Sequence, residues 1–353
     1  MKQSLKKLEW LVKKSFVRYA LGLVLSKDQK VCTKIARLFS ISHDSIYRYL
    51  SKNMDIAACF PSLMIALAKR FHEKSPGWFI VDDTALSKIY AKYIEGINWI
   101  YNSSLKRPEK GLCIVVIAWT NGDITIPIGF EWWHSKKICK DKHKTKIKIA
   151  QELICKVAVE FDNFLADAAY ISLDMIQFLY QRKIKFVTRI HSNRKVQTED
   201  GICEQMKKHP KLRLSKNCRS KIVKVTMKGQ PVNIVVFKRK KKSSCEYETV
   251  FLVTNIDASP KEIIKSYRIR WEIEPMFRAM KQLLGLTQCS ARSLDKQCLH
   301  INTVFFDFAF IQNVKFNNKL ASVEEAVRHL QCAKLKNTTT SFNRFCREFQ
   351  QNA

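Results

Sequence analysis

The apolar pattern of the chain changes its period at Ser75-Pro76-Gly77. Up to that point apolar residues recur at helical spacing, and Pro61 is the only earlier proline, so residues 1–75 are expected to be all helical. Beyond it the apolar residues come in short runs. Trp78 to Val81 ends at Asp82-Asp83-Thr84, and Leu112 to Trp119 and Ile124 to Trp132 flank Asn121-Gly122, a dipeptide suited to a tight hairpin turn. Lys142 to Val159 reads as a helix, Asn163 to Ala166 as a strand ending at Asp167, and Ser172 as the N-cap of a helix reaching Gln181. Strands mixed with helices in this order predict an α/β (α+β) sheet domain. Residues 184–255 are richer in strands: Lys185 to Ile190, Lys221 to Met227, Val232 to Phe237 and Thr249 to Asn255, with Gly229 and Pro231 turning between the middle two. Helices resume at Pro260. The expected organisation is a helical domain over 1–75, a sheet core over 76–183, a β-rich insertion over 184–256, and a second part of the core with C-terminal helices over 257–353.

Charge narrows the partners. The 353 residues carry a formal net charge of +32, and 46% are hydrophobic, so this is a folded chain rather than a basic tail. A highly soluble protein from a lysine-biased genome would show such an excess, but a polyanion such as nucleic acid explains it better. The twelve cysteines include no C-x-x-C pair, which argues against zinc ribbons and for free thiols in a reducing cytosol. The longest apolar run, Ile301 to Val314, is too short for a membrane span and contains Asp307, and the N-terminal lysines before Tyr19 to Leu25 make a poor signal peptide. No membrane association is expected.

Val31 to Leu50 has helix-turn-helix spacing. Ala36 is the small residue at a close approach, Ile35, Phe39, Ile41, Ile46 and Tyr49 supply apolar contacts, and Ser40-Ile41-Ser42 forms the turn. The second helix would present His43, Asp44, Ser45, Tyr47 and Arg48 to bases or phosphates. The bland alternative is an ordinary helical hairpin.

A further helix carries the strongest local signal. Ser259-Pro260-Lys261-Glu262 is a capping box with proline at the first helical position, and Gly285 is a stop. On one ideal helix Tyr267, Arg270, Glu274 and Lys281 fall within about 60° of arc, flanked by Trp271 and Arg278, while Glu272 points away. Pro275 is expected to kink the helix just past Glu274. Such a face suits metal and phosphates together, or is a solvated amphipathic face with routine ion pairs.

The order Tyr267-x2-Arg270-x3-Glu274-x6-Lys281 resembles the YREK signature of a large group of bacterial insertion-sequence transposases, DDE enzymes with an RNase H-like catalytic domain. The resemblance implies two upstream aspartates, each closing a core strand. Asp82, with Asp83 as the fallback, resembles the first, and Asp167 in Ala166-Asp167-Ala168-Ala169-Tyr170 the second. It also implies the β-rich insertion before Glu274 and an all-α, helix-turn-helix-like domain before the core. Asp82, Asp167 and Glu274 would then be the catalytic metal ligands for two Mg²⁺ or Mn²⁺ ions, since hard oxygen donors suit these ions and two of them serve in-line phosphodiester displacement. Tyr267, Arg270, Lys281 and Arg278, together with Ser45, Tyr47 and Arg48, would contact DNA.

The function so implied is cut-and-paste transposition: binding of terminal inverted repeats, metal-dependent cleavage of double-stranded DNA at the transposon ends, and strand transfer to target DNA. A homodimer on paired ends, in the bacterial cytoplasm at the nucleoid, is implied with it. Relatives place a tryptophan wedge in the insertion. Here no Trp lies between Trp133 and Trp271, leaving Phe186, Phe237, Tyr247 or Phe251 as substitutes. The lysine-rich run Lys136 to Lys148 and the block Lys238-Arg239-Lys240-Lys241-Lys242 are solvated surface or backbone clamps on a DNA path. The rival functions are a catalytically silent DNA-binding protein derived from a transposase and an RNase H-like repair or junction nuclease.

Overall fold

The computed structural model describes residues 11, 13–27, 29–52, 57–102, 105–215, 217–240 and 246–352. Its longer helices are α1 (Lys14–Leu25), α2 (Cys32–Leu38), α3 (His43–Lys52), α4 (Phe60–Lys74), α5 (Lys146–Val157), α6 (Leu173–Gln181), α7 (Pro260–Arg268), α8 (Ile273–Leu283), α9 (Leu294–Asn317), α10 (Val323–Cys332) and α11 (Leu335–Asn352). Its strands are β1 (Trp78–Ser87), β2 (Asn98–Asn102), β3 (Arg107–Thr120), β4 (Thr125–Trp133), β5 (Asn163–Ala166), β6 (Lys185–Arg189), β7 (Lys195–Gln197), β8 (Cys203–Gln205), β9 (Ser220–Met227), β10 (Gln230–Lys240) and β11 (Tyr247–Thr254). The fold is mixed α/β, and it divides into two compact units: Met1–Pro76 with Asp83–Lys144 and Glu272–Ala353, and Gly77–Asp82 with Thr145–Trp271.

In the first unit the N-terminal helices form as their periodicity requires. Helix α1 crosses α2 closely: a Cβ on Gly22 would stand 2.2 Å from Ile35 Cγ2, so only glycine fits there. Between α2 and α3 the chain turns through Ser40 at φ 51°, a left-handed position more often given to glycine. The Ala36 carbonyl takes up the turn, accepting from the N–H groups of Phe39 and Ile41. An aromatic core follows, with Phe16 edge-on to Phe306 at 5.4 Å and Phe310 edge-on to Phe342 at 5.0 Å. Such pairs add to the stabilisation that burial alone supplies. Helices α4 and α9 cover strand β4.

Strand β3 pairs antiparallel with β2 through Arg107–Gly111 and with β4 through Cys113–Thr120. Asn121 makes the expected turn: its side-chain oxygen accepts from the N–H groups of Asp123 and Ile124, and Gly122 sits at φ 99°. Strand β1 neighbours β3. Gly111 permits the approach, because a Cβ there would lie 2.5 Å from the Leu86 carbonyl oxygen.

In the second unit β1 pairs in parallel with β5, and β5 with β6, so three short apolar strands are buried side by side. Strand β6 then pairs antiparallel with β11, followed by β10, β9, β7 and β8. Helices α5 and α6 begin at Thr145 and Ser172, whose side chains accept from the N–H groups of Lys148 and Met175.

Several expectations change. Helix α5 is shorter than Lys142 to Val159, because Thr145 caps it and residues 136–142 form short turns before it. The β9–β10 hairpin turns on Lys228 and Gly229, both left-handed, so Pro231 is a strand residue opposite Thr226. Strand β1 does not end at Asp82: it runs on through Asp83 and Thr84 to Ser87. Strands β2, β7 and β8 were not foreseen; β7 and β8 have three residues each, too few to show alternation. No described helix is long and apolar enough to cross a membrane.

Candidate active site

The second unit brings together two of the expected acids. The β1–β5 ladder pairs Phe79 with Phe164, Ile80 with Leu165 and Val81 with Ala166. Asp82 and Asp167 are each the next residue, so both follow the last rung of one parallel pair. Asp167 leaves the strand with φ −81° and ψ 169°, opening a 3₁₀ turn over Ala168–Tyr170. Two buried-edge carboxylates repel unless cations accompany them. Arg270 supplies one: its Nη1 lies 3.7 Å from Asp82 Oδ2, with the Arg270 side chain 6% exposed and Asp82 26% exposed. The guanidinium stands 4.7 Å from the Trp271 ring centroid and 5.9 Å from that of Tyr267. Burial pushes the Tyr267 hydroxyl up to about 12; Arg270 and Arg189 oppose that shift and Asp167 reinforces it. Tyr267 thus stays protonated at neutral pH, able to donate to an anion, and these neighbours tie Asp167 and Arg189 to the same place.

The helix carrying the remaining residues is not one helix. Helix α7 ends at Arg268, a 3₁₀ stretch spans Ile269–Glu272, and α8 starts at Ile273. Pro275 has no N–H to return to the carbonyl of Trp271, so the turn before it tightens. The break therefore precedes Glu274 rather than following it. At three residues per turn the 3₁₀ stretch rotates the later positions away from an ideal stripe, and the stripe divides: Tyr267 and Arg270 are buried in the second unit, while Glu274, Arg278 and Lys281 belong to the first. Glu274 and Arg278 are exposed there. Burial lowers the Lys281 ammonium, against the opposing pull of Glu109, Cys113 and Asp83. Asp83 accepts a long contact from the Cys113 thiol at 3.8 Å. Neighbouring strand residues face opposite ways, and Asp82 and Asp83 accordingly have different company. Glu272 is half-buried, its carboxyl raised by burial while Lys315 opposes.

In the first unit Tyr47 and Arg48 are exposed on α3, Ser45 is half-buried, and His43 and Asp44 face solvent. Tyr47 accepts a hydrogen bond from Lys296 at 2.9 Å, and Arg48 donates to the Asp44 carbonyl at 3.4 Å. Sequence reasoning missed Lys296 and Arg189, since neither carries a motif. Of the wedge candidates, Phe186 and Phe251 are core residues, Phe237 is half-buried and Tyr247 is 65% exposed. Arg239 is paired with Glu248, while Lys241 and Lys242 lie outside the described residues. Among the described residues no group of three His, Cys, Asp or Glu side chains gathers closely enough to hold a metal ion.

Residues 136–306 match the transposase DDE domain. The match spans just under half of the chain. The transposase DDE match takes in Asp167, Tyr267, Arg270, Glu274 and Lys281, while Asp82 lies upstream of it. A solved structure of the piggyBac transposase synaptic complex with hairpin DNA shares the fold, with a TM-score of 0.51 at 13% identity over 98% of this chain and 76% of that one. No curated protein matches the chain.

Proposed function

We propose that the chain is the transposase of an insertion sequence, binding terminal inverted repeats, cutting double-stranded DNA at the element's ends and joining it to target DNA. The observation that carries this reading is the pair Asp82 and Asp167 at the close of one parallel ladder, with Arg270 against Asp82 and Tyr267 beside them. Strand order supports an RNase H-like core: β3 neighbours both β4 and β1, and β1 continues in parallel to β5 and β6. Glu274 is the third acid of this reading, from its family spacing after Tyr267 and Arg270. Asp82 is favoured over Asp83 because it pairs with Arg270 and holds the same ladder position as Asp167.

By their chemistry the three carboxylates suit a hard divalent ion, since carboxylate oxygens favour Mg²⁺ or Mn²⁺. Asp82, Asp167 and Glu274 would hold the ions, which supply activation of the attacking oxygen and charge neutralisation of the phosphodiester. The chain's own groups do the rest. Arg270 holds the Asp82 carboxylate in place. Tyr267 donates a hydrogen bond to a phosphate oxygen, and Arg278 and Lys281 add N–H donors. Ser45, Tyr47 and Arg48 on α3 contact the repeat, with two copies of the chain holding paired ends in the bacterial cytoplasm.

The test is incubation of the purified chain with DNA carrying the genomic borders of its reading frame. Cleavage at those borders with Mn²⁺, and none with EDTA, is expected. Tight binding without cleavage in Mg²⁺ and Mn²⁺ would favour a silent DNA-binding protein. Preference for four-way junctions would favour a junction nuclease.

A further inference from the structure

A cavity of about 750 Å³ opens in the first unit between residues 87–94 and residues 287–292. Its walls are cross-linked by polar contacts. Lys88 Nζ donates to the carbonyls of Thr287 at 2.7 Å and Cys289 at 2.5 Å. Gln297 Nε2 donates to the carbonyls of Cys289 and Ala291, the Glu95 N–H donates to the Arg292 carbonyl, and the Glu95 carboxylate accepts from the Leu294 N–H. A loop tied at this many points is a preformed wall.

On that scaffold stand two aromatic rings with almost no cover: Tyr90 is 96% exposed and Tyr93 74% exposed. The Arg292 guanidinium lies 5.9 Å from the Tyr93 ring centroid. Lys88, Lys92 and Arg292 line the cavity, and its lining includes no Asp or Glu. The same surface reaches the exposed face of α3, because Lys296, four residues past Arg292, donates to the Tyr47 hydroxyl and stands 4.5 Å from its ring centroid.

Exposed tyrosine rings framed by cations match a nucleic-acid strand whose bases are unstacked, since aromatic faces take bases and cations take phosphates. A duplex hides its base faces and would leave both rings unused. The same face of a second copy would set Lys92 and Arg292 against their own kind, with no Asp or Glu in the lining to pair them. We infer that the cavity between residues 87–94 and 287–292 binds unpaired nucleotides of a DNA strand, with bases stacked on Tyr90 and Tyr93 and phosphates on Lys92 and Arg292. This rests on the reading that the chain handles DNA, but not on its acids or on cleavage.

The experiment measures fluorescence anisotropy of labelled oligothymidylate and of a blunt duplex of the same length, in EDTA, with the full chain. Tyr90→Ala with Tyr93→Ala should lower the ratio of single-strand to duplex affinity by about tenfold or more, the scale of one lost base–aromatic stack. The Tyr90→Phe, Tyr93→Phe pair keeps both ring faces and should keep the wild-type ratio. An unchanged ratio in the alanine pair, or an equal loss in the phenylalanine pair, overturns the proposal. So does a fall in sedimentation coefficient of the DNA-free alanine pair, which would assign the cavity to a second copy. A wild type that binds oligothymidylate through these rings yet never cuts would overturn the transposase reading and leave this site standing.

Discussion

His300 makes the stability of the chain depend on pH in a way that can be worked out in advance. The residue is fully buried on α9. Its Nε2 lies 3.0 Å from the Gly285 carbonyl oxygen, which only accepts, so Nε2 carries the proton. Nδ1, 2.7 Å from the Tyr19 hydroxyl, therefore accepts from it. The neutral ring is satisfied on both sides, and a second proton has no acceptor. Burial, with Lys88 adding to it, holds the imidazole down at about 3. In the unfolded chain it titrates near 6.5. A base with a depressed folded pKa costs stability as pH falls through its unfolded value, because the unfolded state takes up the proton first. Between pH 7.5 and 5 the loss amounts to about 2 kcal/mol, and it grows until the folded ring itself protonates near pH 3. Tyr19 and Cys289, both raised by burial, stay protonated across this window. Asp307 acts in the opposite sense, since burial raises its carboxyl well above the ordinary value and its contribution falls as pH rises. The wild-type profile alone is thus a partial cancellation. The assay is urea unfolding followed by circular dichroism at constant ionic strength, for wild type and His300→Gln, at pH 7.5, 6 and 5. Glutamine can donate to Gly285 and accept from Tyr19 without titrating. The stability difference between the two proteins should shift by about 2 kcal/mol in favour of the variant on going to pH 5. Parallel profiles would refute the buried neutral histidine.

Two further substitutions probe the same unit. Gly22→Ala places a methyl 2.2 Å from Ile35 Cγ2, so overpacking of about 1–3 kcal/mol should outweigh the roughly 0.5–1 kcal/mol gained in helix propensity. Combined with Ile35→Ala, which removes the opposing methyl, the two losses should sum to less than their parts in a double-mutant cycle. Asp307→Asn should raise the urea midpoint at pH 7.5 and steepen the fall of stability toward pH 5, because both Asp307 oxygens are buried without a hydrogen-bond partner.

What the sequence disclosed, and what it hid, follows from the range of each signal. Ser172, Asn121 and the Ser259–Glu262 box act on backbone groups within three residues, and each does what its local pattern requires. Strand β5 keeps the bounds Asn163 to Ala166 because its short apolar run is buried throughout that ladder. The continuation of β1 past Asp82 was not legible: it depends on a neighbour, β3, whose residues lie more than twenty positions away. The stripe from Tyr267 to Lys281 was read on an ideal helix, and Pro275 gave notice of a break but not of its position. The 3₁₀ turn over Ile269–Glu272 is set by a missing donor downstream, so periodicity alone misplaced it. The cavity beside Tyr90 and Tyr93 left no motif, since its walls are joined by contacts between residues far apart in sequence, those of Lys88 with Thr287 and Cys289 and of Glu95 with Arg292.

In the proposed reaction Asp82, Asp167 and Glu274 act together on a phosphodiester. Its most direct test is single-turnover cleavage of end-containing DNA in Mn²⁺ by wild type, Glu274→Gln and Asp83→Asn. Wild type and Asp83→Asn should cut, and Glu274→Gln should lose about a thousandfold or more of the rate with DNA binding retained. Cutting by Glu274→Gln at the wild-type rate would contradict it.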